Sequence, residues 1–299
     1  MSRLVKLGLI SEGTNTWPLY AAQALQLFER AGLQVEVTLT GSSVTQQEEL
    51  IRGGFDIGFQ QSDHVVRAVE RGADLFVFMP HGHAPELTLV SVPQVRAIGE
   101  LRGRTIAVDG ARTGYALLLR RLLRQESLDD ADIVFKEFGG SQERYDALKS
   151  RAASASLLNA PFDAQLLAEG CTLLARMNDR FPTYPGPVMA ARRSWAREHE
   201  SDLLAFIRAY DAAYTWLRES SNRTQAIAAL PKRLQMKDSV ALAALDQFTR
   251  RPRPVLSPSG LGEVIDIVWQ AEGFTQPKGA PGKYMDLGYL DRALRPKAS

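Results

Sequence analysis

Apolar and polar positions along this chain switch between two periods. Short runs that alternate with a period of two, such as Val5–Ile10 and Val35–Leu39, read as strands. Each is followed by a stretch with the spacing of an amphipathic helix, as in Leu19–Arg30. The same succession returns at an offset of 99 residues, with Arg104–Asp109 as the strand and Tyr115–Arg124 as the helix. Thr14 falls opposite Thr113, and Gly41-Ser42 opposite Gly140-Ser141, where each pair ends a β-rich run and opens a helix. Phe55–Phe59 falls opposite Ser154–Leu158, and Gln61-Ser62-Asp63 opposite Ala160-Pro161-Phe162. Each half therefore predicts strand–helix–strand–helix–strand–helix–strand. That order belongs to the α/β class, with two lobes that each hold a parallel-rich sheet flanked by helices.

Between the halves lie two short extended stretches, Thr88–Val92 and Gly186–Ala190, set off by Pro93, Pro185 and Pro187. They predict crossover strands, with lobe 2 inserted into lobe 1. The expected division is residues 1–90 plus 188–299 for lobe 1 and 91–187 for lobe 2, with hinge crossovers near 88–93 and 185–190. From Ser194 the pattern is helical only. Ser194–Glu219 places Trp195, Leu203, Phe206, Ile207, Tyr210, Tyr214 and Leu217 on one face, and shorter helices are expected at 222–230, 238–250 and 259–272. These helices are expected to complete lobe 1, and the Pro/Gly-rich tail from Gln276 to wrap the surface.

Composition narrows the function more than the fold. In 299 residues, hydrophobics are 45% and charged residues 23%, which excludes a disordered or fibrous chain. Thirty-six Lys+Arg against 34 Asp+Glu leave a net charge of +2, too even to predict a nucleic-acid partner. The lone cysteine, Cys171, excludes a disulfide framework and a cysteine-built zinc site, and its place in the repeat predicts a buried or half-buried structural thiol. No window reaches the roughly 18 apolar residues of a membrane span, so the protein is not expected to be membrane-inserted. Met1–Ile10 reads as a strand, not a secretory leader. That predicts a cytoplasmic protein, or a periplasmic one if a leader once preceded it.

In open α/β lobes, ligands bind beyond the carboxyl ends of the strands, where unpaired helix N–H groups meet the positive end of the helix dipole. The residues at those points are Ser11, Thr14, Asn15, Ser42, Gln60, Gln61, Arg112, Thr113 and Ser141. Ser and Thr there also serve as helix caps, which need no ligand. Trp17, Tyr115, Phe162 and Tyr184 adjoin the same loops and suit the apolar body of a ligand; Trp17, among Asn15, Thr16 and Pro18, is not expected to be a core tryptophan. Arg112 is the candidate cation for a carboxylate or sulfonate. Candidate acid–base groups, should the chain be an enzyme, are His64, His81, His83, Glu12 and Asp109. His81-Gly-His83 with Glu86 has the outline of a metal pair but lacks a third ligand at fixed spacing, so no metal is expected. No phosphate loop, Gly-x-Gly-x-x-Gly, Gly-x-Ser-x-Gly or His-Glu-x-x-His is present, and no cofactor is expected.

Three segments together resemble a known family. They are Gly13-Thr-Asn-Thr-Trp17 after the first strand, Glu49-Leu-Ile-Arg-Gly-Gly-Phe-Asp-Ile-Gly58, and Leu101-Arg-Gly-Arg-Thr-Ile-Ala-Val108. They are similar to the type II periplasmic-binding-protein fold, in the branch of nitrate-, sulfonate- and taurine-binding proteins and thiamine-pyrimidine precursor proteins. The resemblance covers about residues 4 to 272. It implies two lobes that close on a small ligand, expected from the residues above to be an organic acid or similar small molecule, and in the exported members a substrate-binding protein that delivers to an ABC permease. Leaderless relatives of the fold include aromatic-acid decarboxylases and other lyases, so an enzyme is the alternative.

Overall fold

The computed structural model describes residues 2–10, 12–82, 85–111, 113–159, 162–229 and 238–295. They form two compact units. The first comprises Met1–Gly82, Pro187–Leu256 and Ala280–Ser299; the second comprises His83–Gly186 and Ser257–Gly279.

In chain order the first unit begins with β1 (Arg3–Leu9), α1 (Trp17–Ala24), α2 (Leu27–Arg30), β2 (Leu33–Leu39), α3 (Ser43–Arg52), β3 (Ile57–Gln61), α4 (Ser62–Glu70) and β4 (Leu75–Pro80). The second unit follows with β5 (Thr88–Ser91), β6 (Thr105–Val108), α5 (Gly114–Gln125), β7 (Val134–Glu137) and α6 (Ser141–Lys149). It continues with β8 (Ala155–Leu158), α7 (Phe162–Ala168), β9 (Thr172–Arg176) and α8 (Met177–Arg180). The chain then returns to the first unit with β10 (Pro187–Arg192), α9 (Arg193–Glu198), α10 (Glu200–Arg218), α11 (Arg223–Ala228) and α12 (Asp238–Arg250). Helix α13 (Pro258–Glu272) lies in the second unit and α14 (Gly288–Leu294) in the first.

The repeat read from the sequence is a repeat of topology. The two sheets run β2-β1-β3-β10-β4 and β7-β6-β8-β5-β9, so equivalent strands occupy equivalent places. In each, the first three strands are parallel, with registers such as Val5↔Val35 and Thr105↔Val134. The fourth strand is antiparallel: β10 lies between β3 and β4, and β5 between β8 and β9. The two expected crossover stretches are thus full sheet members. The central strands β3, β5, β8 and β10 are buried almost throughout, as strands covered on both faces must be, and β4 at the edge of its sheet is buried too. At the edge, β2 alternates buried and exposed positions and β7 is largely exposed.

The first unit's core gathers Val5, Leu7 and Leu9 of β1, Phe59 of β3, and Phe206, Ile207, Tyr210, Ala213 and Leu217 of α10. Phe28 stacks on Phe206 at 5.2 Å between ring centres. Burying each such side chain contributes about 1.5–3 kcal/mol. The second unit's core holds Val90, Ala107, Leu148, Leu158 and Leu166, with Cys171 half-buried against it, where burial raises the thiol pKa.

Three expectations are corrected here. The helix expected over Ser194–Glu219 is two helices, because His199 (φ −119°, ψ 36°) leaves the helical region and ends α9. Helix α13, expected with lobe 1, belongs to the second unit and packs on α5, so the chain passes between units four times, not twice. The tail does more than wrap the surface. Val77 of β4 donates to the Tyr284 carbonyl (2.8 Å) and accepts from Asp286 N–H (2.9 Å), so the segment extends the edge of β4 and buries Tyr284 completely.

Candidate functional site

Each unit presents a set of polar groups where its parallel strands end and the next helices begin. In the first unit, β1 runs into a tight turn in which Thr16 Oγ1 donates to the Gly13 carbonyl (2.7 Å). Glu12 is half-buried and accepts from the Tyr20 hydroxyl. The backbone of Thr14 belongs to this turn, and Asn15 is exposed. Ser11 lies outside the described residues. Trp17 opens α1 and, contrary to the sequence reading, is a core residue at 1% exposure. Its ring lies 6.4 Å from that of Phe248, and its buried Nε1–H meets no acceptor among the described residues.

Ser42 is the N-cap of α3, its hydroxyl accepting from Thr45 N–H (3.2 Å). That is the capping role weighed against ligand binding. Ser42→Ala should cost about 1 kcal/mol of stability in urea unfolding, while loss of ligand affinity without loss of stability would contradict it. One turn on, Gln46 is fully buried against β3. Its Nε2 donates to the carbonyls of Gly8 (2.9 Å) and Phe59 (3.3 Å). Gly58 makes room for it, since a Cβ there would sit 2.7 Å from Gln46 Nε2. Gln60, at 1% exposure, donates from Nε2 to Gln46 Oε1 (2.6 Å), and its own Oε1 accepts from no donor among the described residues. Gln61 ends β3 and precedes α4.

On α4, buried Asp63 pairs with Arg67 (2.7 Å), and half-buried His64 stands 3.9 Å from the same carboxylate. His81 follows β4, buried against the Phe59 ring (4.0 Å between ring centres), and shares a 3.1 Å hydrogen bond between Nδ1 and the Tyr210 hydroxyl. Burial lowers its pKa to about 3, so the imidazole is neutral at physiological pH. Beside it is a cavity of about 140 Å³ whose walls include Met79, Tyr210, Tyr214 and Leu294. His83 lies outside the described residues.

In the second unit the equivalent edge brings together Asp109, Thr113, Ser141, Arg144 and Asn159. Thr113 caps α5 and donates to Asp109 (2.7 Å), and Tyr115 is half-buried in the first turn. Ser141 opens α6, donating to Asn159 Oδ1 (2.6 Å) and accepting from Arg144 (3.2 Å). Arg144 is the residue the sequence reading missed. Lying between Glu143 and Tyr145 on a polar helix, it reads as solvated, yet it is only 9% exposed. Its guanidinium donates to the carbonyls of Gly140 (3.2 Å) and Leu157 (2.5 Å) as well as to Ser141. Among the described residues no carboxylate lies within ion-pair distance of it, and burial lowers its pKa while Asp109 partly offsets that. Five N–H groups meet three acceptors among the described residues, so two donors are left over there. Phe162 is half-buried against Tyr145, 5.7 Å between ring centres. Tyr184 is buried at 2% exposure. Arg112 lies outside the described residues. Among the described residues no three His, Cys, Asp or Glu side chains form a group that could hold a metal ion, and no helix is long and apolar enough to cross a membrane.

Twin five-strand α/β units with polar groups at the strand ends define the two-lobe architecture of type II periplasmic binding proteins. The sequence matches the family described as NMT1/THI5 like over residues 13–223, and the chain belongs to that family. No curated protein matches the sequence. The fold is similar to that of the periplasmic aliphatic sulphonate binding protein SsuA of Escherichia coli, with a TM-score of 0.74 at 20% identity over 99% of this chain and 100% of that one. It is also similar to the ligand binding component of an ABC-type import system from Staphylococcus aureus with zinc bound, with a TM-score of 0.77 at 16% identity over 99% and 100%. The periplasmic nitrate-binding protein NrtA of Synechocystis PCC 6803 gives 0.74 at 13% identity over 98% and 88%.

Proposed function

We propose that this protein binds a small organic molecule bearing an anionic group and passes it to an ABC-type permease. The observation that carries the reading is Arg144, a buried guanidinium with two N–H donors beyond its three structural bonds and no carboxylate partner among the described residues. A buried cation is costly unless paired, and an anionic ligand group would supply the pair. Support comes from the architecture it shares with the sulphonate- and nitrate-binding proteins and the import component named above. Delivery to a permease would put the working protein outside the cytoplasmic membrane, as the periplasmic sulphonate- and nitrate-binding proteins are. Of the predicted ligand residues, Thr113, Tyr115, Ser141, Phe162 and Tyr184 remain proposed for the second unit's edge with Arg144, and Thr14, Asn15, Trp17, Ser42, Gln60 and Gln61 for the first unit's edge, while Ser11 and Arg112 stay proposals outside the described residues.

The enzyme alternative finds less support. His81 is held neutral and engaged by Tyr210, Glu12 receives Tyr20, and Asp109 receives Thr113. A histidine with a pKa near 3 is not an imidazolium at pH 7 and so is no general acid there.

The test is a thermal-shift screen of small organic acids, followed by mass spectrometry of any binder for chemical change. A ligand at a hundred times its Kd should add about 2.7 kcal/mol of stability and be recovered intact. No stabilisation by any acid would overturn the binding reading, and conversion of the ligand would favour the enzyme.

A further inference from the structure

We infer that Gln60 Oε1 is a ligand-recognition acceptor, so that the molecule bound at the first unit's edge must carry an N–H or O–H donor. This rests on the small-molecule reading above and deepens it.

Amide oxygen and nitrogen look alike until their partners are counted, and here the partners fix both amides. The carbonyls of Gly8 and Phe59 can only accept, so the Gln46 atom beside them is Nε2, at 2.9 and 3.3 Å. Gln46 must therefore turn Oε1 towards Gln60. The Gln60 atom 2.6 Å away is then obliged to be the donor Nε2. That leaves Gln60 Oε1 facing away from the chain of bonds. It is buried, its residue is 1% exposed, and no donor among the described residues reaches it. Turning the amide over would put two oxygens together and is ruled out by the same chain.

A buried carbonyl without a donor costs about 1–3 kcal/mol, and folds rarely leave one without use. Gln60 sits at the carboxyl end of β3, one residue before α4, which is where ligands meet sheets of this kind. Trp17, which follows β1 at the same edge, carries the complementary unmet group, a buried indole N–H at 1% exposure. An edge with one open acceptor and one open donor suits a molecule with both kinds of group. Bare nitrate or an unsubstituted alkanesulfonate at neutral pH accepts hydrogen bonds and donates none, so neither can satisfy Gln60. An amine, amide, ring N–H or hydroxyl can.

The experiment is calorimetric titration of the full chain with matched probes: taurine against ethanesulfonate and 4-aminobenzoate against 4-dimethylaminobenzoate, with nitrate as an acceptor-only anion. The expected result is that every binder carries a donor and that its capped partner binds about tenfold or more weakly. In Gln60→Met the two members of a pair should bind alike. Should that variant fail to fold, the ratio in the parent protein decides. An acceptor-only probe binding within threefold of its donor-bearing partner overturns the inference and leaves small-molecule binding standing. An unchanged ratio in folded Gln60→Met does the same. Binding by none of the probes removes both.

Discussion

Gly260→Ala should destabilise the second unit by about 1–3 kcal/mol, whereas Gly262→Ala two residues on should stabilise it by up to about 1 kcal/mol. Both glycines lie in α13, where alanine is the better helix former by about 0.8–1.0 kcal/mol, so propensity alone predicts a gain at both. Sterics decide between them. A Cβ on Gly260 would stand 2.0 Å from the Thr183 carbonyl oxygen and 3.2 Å from the carbonyl carbon, and backbone cannot yield as a side-chain tip can. Around Gly262 nothing lies within 4 Å of the added Cβ. Gly260 also donates its N–H to the Ser257 cap (3.0 Å), so pushing α13 away strains the helix start as well. Urea unfolding of both variants checks this; two midpoints shifted the same way would refute the close approach of α13 to Thr183.

The second large effect is a pH dependence set by His81. Its folded pKa of about 3 lies below the unfolded value near 6.5, so the unfolded chain binds a proton that the folded chain refuses. The contribution is therefore fully present above about pH 6.5. It is lost as pH falls towards 3, at up to about 1.4 kcal/mol per pH unit. Carboxylates titrate in the lower part of this window too, so the comparison that isolates His81 is with His81→Leu. At pH 7.5 the variant should be less stable, having lost the 3.1 Å bond to Tyr210, and that deficit should shrink and reverse on acidification. Stability curves that run parallel from pH 7.5 to 4 would show that the imidazole is not buried in this way.

Much of the fold was legible because it rests on periodicity. Strand–helix alternation is written in the chain locally, and doubling it at a fixed offset gave the same order of elements that the two sheets display. What sequence did not carry was assignment of elements across long separations. Nothing in α13 states which unit it packs against, and only Gly260 beneath the Thr183 carbonyl hints at a close contact. Nor does a polar neighbourhood in sequence make an exposed residue. Trp17 sits among Asn15, Thr16 and Pro18 and is still a core residue, because α1 turns that face onto α10.

The candidate site was half legible for the same reason. Caps such as Ser42 and Thr113 depend on residues three positions away and were readable. The Gln46–Gln60 pair joins a helix to a strand, and Arg144 reaches the Leu157 carbonyl on β8; neither link leaves a local pattern. A buried arginine amid Gln142, Glu143 and Asp146 looks like any solvated helix face until the fold closes over it.

The central claim is that Arg144 holds the anionic group of a small molecule, and the direct measurement is a calorimetric titration of the best organic-acid binder into the parent protein and into Arg144→Ala, each verified as folded by circular dichroism. Loss of a charge-assisted contact should weaken binding by about ten- to a hundredfold, with Arg144→Lys intermediate. Equal affinity in all three proteins would contradict the account and move the site elsewhere in the molecule.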